Sequence, residues 1–143
     1  KPEASVFLVA YEGEGDFPGM QQSGSYLRVG CADMLVPYDI PVVSTRLKSV
    51  LTALTQFAPP QGLHNPLKEK GITFLGLQED ERGRDIIFLE GHPTFGGICD
   101  TPRFKAQIEE TLKLYLMKQK FEIRLNSDAK AYRCLGDLSG RCK

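Results

Sequence analysis

The chain has 143 residues, with 18 basic and 18 acidic side chains, four cysteines and no tryptophan. That length fits one domain with a sizeable core, and a hydrophobic content of 41% with 25% charge excludes a disordered chain. A net charge of zero argues against a strong binder of nucleic acid or anionic membranes, which carry a basic excess.

The balance conceals an asymmetry. Residues 1–45 hold two basic and six acidic side chains, whereas residues 103–143 hold ten basic and five acidic. A solvated helix face plus a polar tail accounts for the second segment, and a basic face for an acidic partner is the sharper reading. No apolar run approaches the roughly 18–20 residues of a membrane-spanning helix. The start does not read as a signal peptide. Either the protein is natively soluble inside the cell or this is a segment trimmed from an exported or anchored precursor; residue 1 is Lys rather than Met, which favours the second.

In chain order, Ser5 to Tyr11 reads as a strand. Residues 12–25 form a Gly-rich loop, and long loops in compact domains are functional or mobile. Tyr26 to Val36 is strand-like, and Pro37 and Pro41 limit its pairing. Ser44 or Thr45 caps a helix whose apolar face is Leu47, Val50, Leu51, Leu54 and Phe57, and Pro59 and Pro60 stop it. Residues 61–70 are a connector. Ile72–Leu77 and Asp85–Leu89 form a hairpin around Gly83.

Thr101-Pro102 predicts the next helix start, with Thr101 as N-cap and Asp100 at the positive end of the dipole. Phe104, Ile108, Leu112 and Tyr115 form its buried face, and Glu109 pairs with Lys113 outside. Phe121–Leu125 alternates as a last half-buried strand. The expected fold is α+β: a small, mostly antiparallel sheet of four to five strands with two helices on one face. The whole of 1–143 is one domain, with a core of about 5–126 and a tail of 127–143.

The chemistry-bearing residues are few. No Cys-x-x-Cys pair occurs, so zinc-ribbon, thioredoxin and iron–sulfur readings lack support. Cys134 and Cys142 could close a small loop, which leaves Cys31 and Cys99 as a second pair; the alternative is four free thiols in a reducing compartment. In the chain-entropy view the long loop contributes about 4–5 kcal/mol and the short one about 2–3 kcal/mol. His64 and His92 lie in loops. A Cys–His nucleophile from Cys31 or Cys99 with His92 is formally available unless those cysteines are bridged. A metal site from Cys99, Asp100, His92 and Asp33 lacks paired ligand spacing, and no phosphate-cradling glycine motif is present. Glu79, Asp80 and Glu81 form an acidic hairpin tip, with a weak calcium site as the lesser reading. The Gly-rich loop with Tyr11, Phe17 and Tyr26 is a candidate ligand or glycan platform.

Two segments carry a family resemblance. The first is Val29-Gly-Cys-Ala-Asp-Met-Leu-Val-Pro-Tyr38, with the helix that follows it. The second is Gly97-Ile-Cys-Asp-Thr-Pro-Arg-Phe-Lys-Ala-Gln-Ile-Glu-Glu-Thr111, leading to a strand that ends at Leu125-Asn126. Together they resemble GerMN domains, the family named for a spore germination protein. Ala32 and Ser127 stand where that family commonly has glycine, and Leu138-Ser139-Gly140 is similar to its tail. The resemblance spans about residues 5–140. It implies a fold similar to ring-building motif domains and an extracytoplasmic bacterial protein of the cell envelope, often a lipoprotein. It implies a non-catalytic, non-enzymatic interaction or assembly module that takes no cofactor and no metal. Its partner would be another envelope protein or a second copy, not nucleic acid, and any membrane anchor would lie outside this chain. Cys31 and Cys99 then fit a structural disulfide. Gly30 belongs to the shared motif, Asp33 becomes a turn or pairing residue, and Asp100, Pro102 and Arg103 become helix-start and packing residues. Gln107 and Thr111, one turn apart, become a structural hydrogen-bonding pair.

Overall fold

The computed structural model describes residues 3–11, 27–29, 31, 33–116, 120–137 and 142. Gly30, Phe17, Tyr26, the Gly-rich loop and residues 138–140 lie outside them. The fold is α+β, as the order of elements predicts. The strands divide between two three-stranded sheets instead of forming one.

In the first sheet, β1 (Glu3–Ala10) and β2 (Leu27–Val29) flank β3 (Asp33–Pro41), all antiparallel. Pro37 lies opposite Phe7, and Pro41 opposite Glu3. The Phe7 N–H and carbonyl turn away from β3, so Phe7 and Pro37 are a non-hydrogen-bonded pair. Among the described residues, β2 reaches no further along β3 than Leu35, so no described partner on that side needs the N–H that Pro37 lacks.

The helix α1 (Arg46–Gln56) follows, and Thr45 is its N-cap, accepting from the Lys48 N–H at 3.3 Å. Val50, Leu51 and Leu54 are fully buried, whereas Leu47 and Phe57 are half-buried at the edge of its apolar stripe. The connector contains a short helix, α2 (Pro66–Glu69), with proline in its first turn.

β4 (Thr73–Glu79) and β5 (Asp85–Glu90) form the expected hairpin, with a bulge between Phe74 and Gly76. α3 (Asp100–Leu116) then crosses to β6 (Phe121–Leu125), which runs parallel to β5. α3 begins at Asp100, before the expected Thr101 cap: the Arg103 N–H bonds the Cys99 carbonyl, so Pro102 sits inside the first turn. There its missing N–H costs nothing. Lys113 pairs with Glu110 rather than with Glu109, which instead accepts from the Tyr132 hydroxyl. Tyr132 belongs to α4 (Ala129–Arg133), a short helix in the tail capped by Asp128.

One core joins both sheets. Val6 and Leu8 from β1, Ile87 and Leu89 from β5, and Ile123 and Leu125 from β6 meet α1 and α3 in it. The division into two sheets follows from α3, whose side chains occupy the outer edge of β1. The Gln107 amide donates to the Phe7 carbonyl at 3.1 Å, and the Thr111 hydroxyl accepts from the Phe7 N–H at 3.0 Å. The Tyr115 hydroxyl accepts from the Ser5 N–H and donates to the Ser5 carbonyl. Val9, the next outward-facing residue, exchanges two backbone bonds with His64. No strand of the hairpin can pair where these groups already bond.

Candidate functional site

The motif residues converge where the C-terminal end of β1, the start of β3 and the N-terminus of α3 meet. Cys31 is bridged to Cys99, and Cys134 to Cys142. Both pairings are those the sequence suggests. Cys31 adopts a left-handed conformation, φ 68°, unusual for a side chain with a Cβ. Since Cys99 is in a disulfide, its sulfur is no thiolate, which removes the Cys99–His92 nucleophile.

Asp33 has no exposed surface, and its Oδ2 receives the Arg103 Nε at 2.5 Å. That bond, with Asp33's charge, holds the Arg103 guanidinium more firmly protonated than usual. The same guanidinium lies 4.0 Å from the Tyr11 ring centre. The opposite ring face carries His64, stacked in parallel at 3.8 Å. His64 Nδ1 lies 3.4 Å from one oxygen of Glu69, and the Tyr11 hydroxyl lies 3.4 Å from the other. Burial, then the Glu69 charge, push the Tyr11 hydroxyl up to about 12. With both ring faces covered, Tyr11 cannot serve as a stacking platform for a sugar.

Asp100, the first residue of α3, bonds the Lys70 ammonium at 2.6 Å and the Gly96 N–H at 3.0 Å. Burial opposes its ionisation, but Lys70, Gly96 and Arg103 outweigh burial and hold its carboxyl below the usual range. Lys70 also bonds the Thr94 carbonyl, which ties the 91–99 loop to the helix start. Pro102 is exposed.

Gln107 and Thr111 do not pair with each other; each bonds β1. Gln107 is fully buried, and also donates to Asn65 Oδ1 at 2.8 Å and accepts from the Leu67 N–H at 3.1 Å. Asn65 in turn donates to the Ala53 and Phe57 carbonyls at the end of α1.

Sequence reading missed Tyr11–His64, Asn65, Lys70 and Glu69 as members of this cluster. The spacing of Gln107, Thr111 and Tyr115 by four is a signal for the edge cover, but Tyr115 reads more simply as core. The proposed mixed metal site does not form: Asp33 and Asp100 face different cations and Cys99 is bridged. Among the described residues no group of three or more His, Cys, Asp or Glu is placed to hold a metal. At the hairpin tip, Asp80 accepts from the Arg82 and Arg84 N–H groups and from Arg84 Nε, so its carboxylate is part of the turn. Its ionised form is stabilised first by the Arg84 N–H, and its acidity is raised.

Compared with protein-family models, curated proteins and solved structures, the chain gives no match. Two disulfides suit an oxidising, extracytoplasmic environment. Among the described residues no helix is long and apolar enough to cross a membrane.

Proposed function

We propose that this chain is a non-catalytic interaction domain of a bacterial envelope protein, similar to GerMN domains, and that it positions another envelope protein or a second copy of itself. The supporting observation is how its signature residues are occupied. Cys31 binds Cys99, Asp33 binds Arg103, Asp100 binds Lys70, and Gln107 and Thr111 cover the edge of β1. A motif committed to internal bonds specifies a scaffold, and recognition falls to the surface. The β1 edge, already bonded by α3, is not the docking edge. Val43, Leu75, Ile98 and Leu114 are the large apolar side chains that remain exposed among the described residues. The protein is read as exported, which the two disulfides support.

Photo-crosslinkers placed singly at Val43, Leu75, Ile98 and Leu114 of the full-length protein, activated in the intact envelope, test this reading. A discrete adduct with one envelope protein or with a second copy is expected from at least one position. No discrete adduct from any of the four overturns it.

A further inference from the structure

β6 runs parallel to β5 with Phe121 opposite Asp85, so the residues preceding the two strands, Lys120 and Arg84, become neighbours. Together with Arg82 and Gly83 of the hairpin turn they line an open depression of about 480 Å³. Among the described residues, every side chain on its wall is a cation.

The three cations are not alike. Arg84 is fixed: its Nε bonds Asp80 at 2.8 Å and its Nη2 lies 3.4 Å from Glu122. Glu122 is itself held by Arg124, whose guanidinium lies over the Phe88 ring. The turn is equally fixed, since one Asp80 oxygen accepts both the Arg82 and the Arg84 backbone N–H. Arg82 and Lys120 are exposed and form no ion pair among the described residues. The carboxylates of Asp80 and Glu122 neutralise Arg84 from outside the depression, and Glu81 and Asp85 do not line it. Two uncompensated cations therefore flank one rigid guanidinium, an arrangement that suits a tetrahedral oxyanion.

We propose that this depression binds phosphate or sulfate groups, as carried in series on an anionic polymer. Exposed contacts of this kind are individually weak and screened by salt. A single free anion is held loosely, and repeated groups on one chain gain from effective concentration. A chain of zero net charge thus presents a locally basic surface. The proposal does not depend on which protein, if any, the apolar positions contact.

The test titrates the purified chain, disulfides intact, with inorganic phosphate and separately with linear polyphosphate, following backbone amide shifts by NMR. The amides of Arg82, Gly83, Arg84 and Lys120 are expected to move with both, at lower concentration for polyphosphate. Salt at about 0.5 M should abolish the shifts. The double variant Arg82→Gln/Lys120→Gln should bind polyphosphate about tenfold more weakly. Lys48→Gln/Lys130→Gln, which removes the same charge elsewhere, should bind normally. Movement with phosphate but no gain with polyphosphate assigns the site to free anions and overturns the polymer. Unmoved amides, or equal loss in both double variants, overturn the site. Both variants alter exposed side chains, and matched thermal melts establish that each is folded.

Discussion

Asp33 and Arg103 lie seventy residues apart in sequence, yet the buried carboxylate of one meets the guanidinium of the other at 2.5 Å. The pair joins β3 to α3 beside the Cys31–Cys99 bridge, and Tyr11 and His64 extend it as a stack.

Removing Arg103 takes away the cation that faces a buried carboxylate. Arg103→Met should lower stability by about 2–4 kcal/mol, somewhat below a fully buried pair because the arginine is partly exposed. Asp33→Asn in the same background should recover part of that loss. Urea unfolding of the two single variants and the double variant measures it; additive losses would show that the two residues do not act as a pair.

The cover on the β1 edge makes a graded prediction. Thr111→Val keeps the shape and removes the acceptor of the Phe7 N–H, costing about 1–3 kcal/mol. Gln107→Leu strands partners on β1, on Asn65 and at Leu67, and should cost more, about 3–5 kcal/mol. Lys113→Gln, an exposed change on the same helix, should stay within about 0.5 kcal/mol. Equilibrium denaturation ranks the three.

The disulfides should be present and unequal. Non-reducing mass spectrometry of oxidised protein should find no free thiol. Cys31→Ser/Cys99→Ser should cost about 4 kcal/mol, and Cys134→Ser/Cys142→Ser about 2–3 kcal/mol, because the first closes a far longer loop.

Tyr11 sets an alkaline limit. Its hydroxyl titrates at about 12 when folded against 10.0 ordinarily, so folding favours the protonated form. That contribution is complete below pH 10.0 and is lost as pH rises through about 12. Tyr11→Phe should remove one late-ionising phenol from the ultraviolet titration and flatten the fall in stability over that range. An unchanged late titration would assign it to other tyrosines.

Much of the local structure was legible in the residues. The Thr45 cap with the Leu47–Leu54 stripe predicts α1, Gly83 predicts the hairpin, and the alternation of Phe121–Leu125 predicts β6, because each depends on neighbours within a turn or two. The eight-residue spacing of Cys134 and Cys142 likewise points to their bridge. The cluster was only half legible. The motif marks Asp33, Asp100, Arg103, Gln107 and Thr111, but the residues that complete their contacts, Tyr11 with His64 behind it, Lys70 and Asn65, carry no local pattern.

The sequence by itself determined the α+β class, the two main helices and the hairpin; it offered a preferred pairing of the cysteines with four free thiols as the alternative, and the structure decided between them. Tertiary structure decided that the strands form two sheets, since an edge strand is closed by whichever donors and acceptors reach it, and here those come from α3 about a hundred residues away. It also decided which charges cancel. Arg84 and Lys120 become neighbours only because β5 and β6 run parallel, and a count that totals zero along the chain leaves three cations, among the described residues, around one depression.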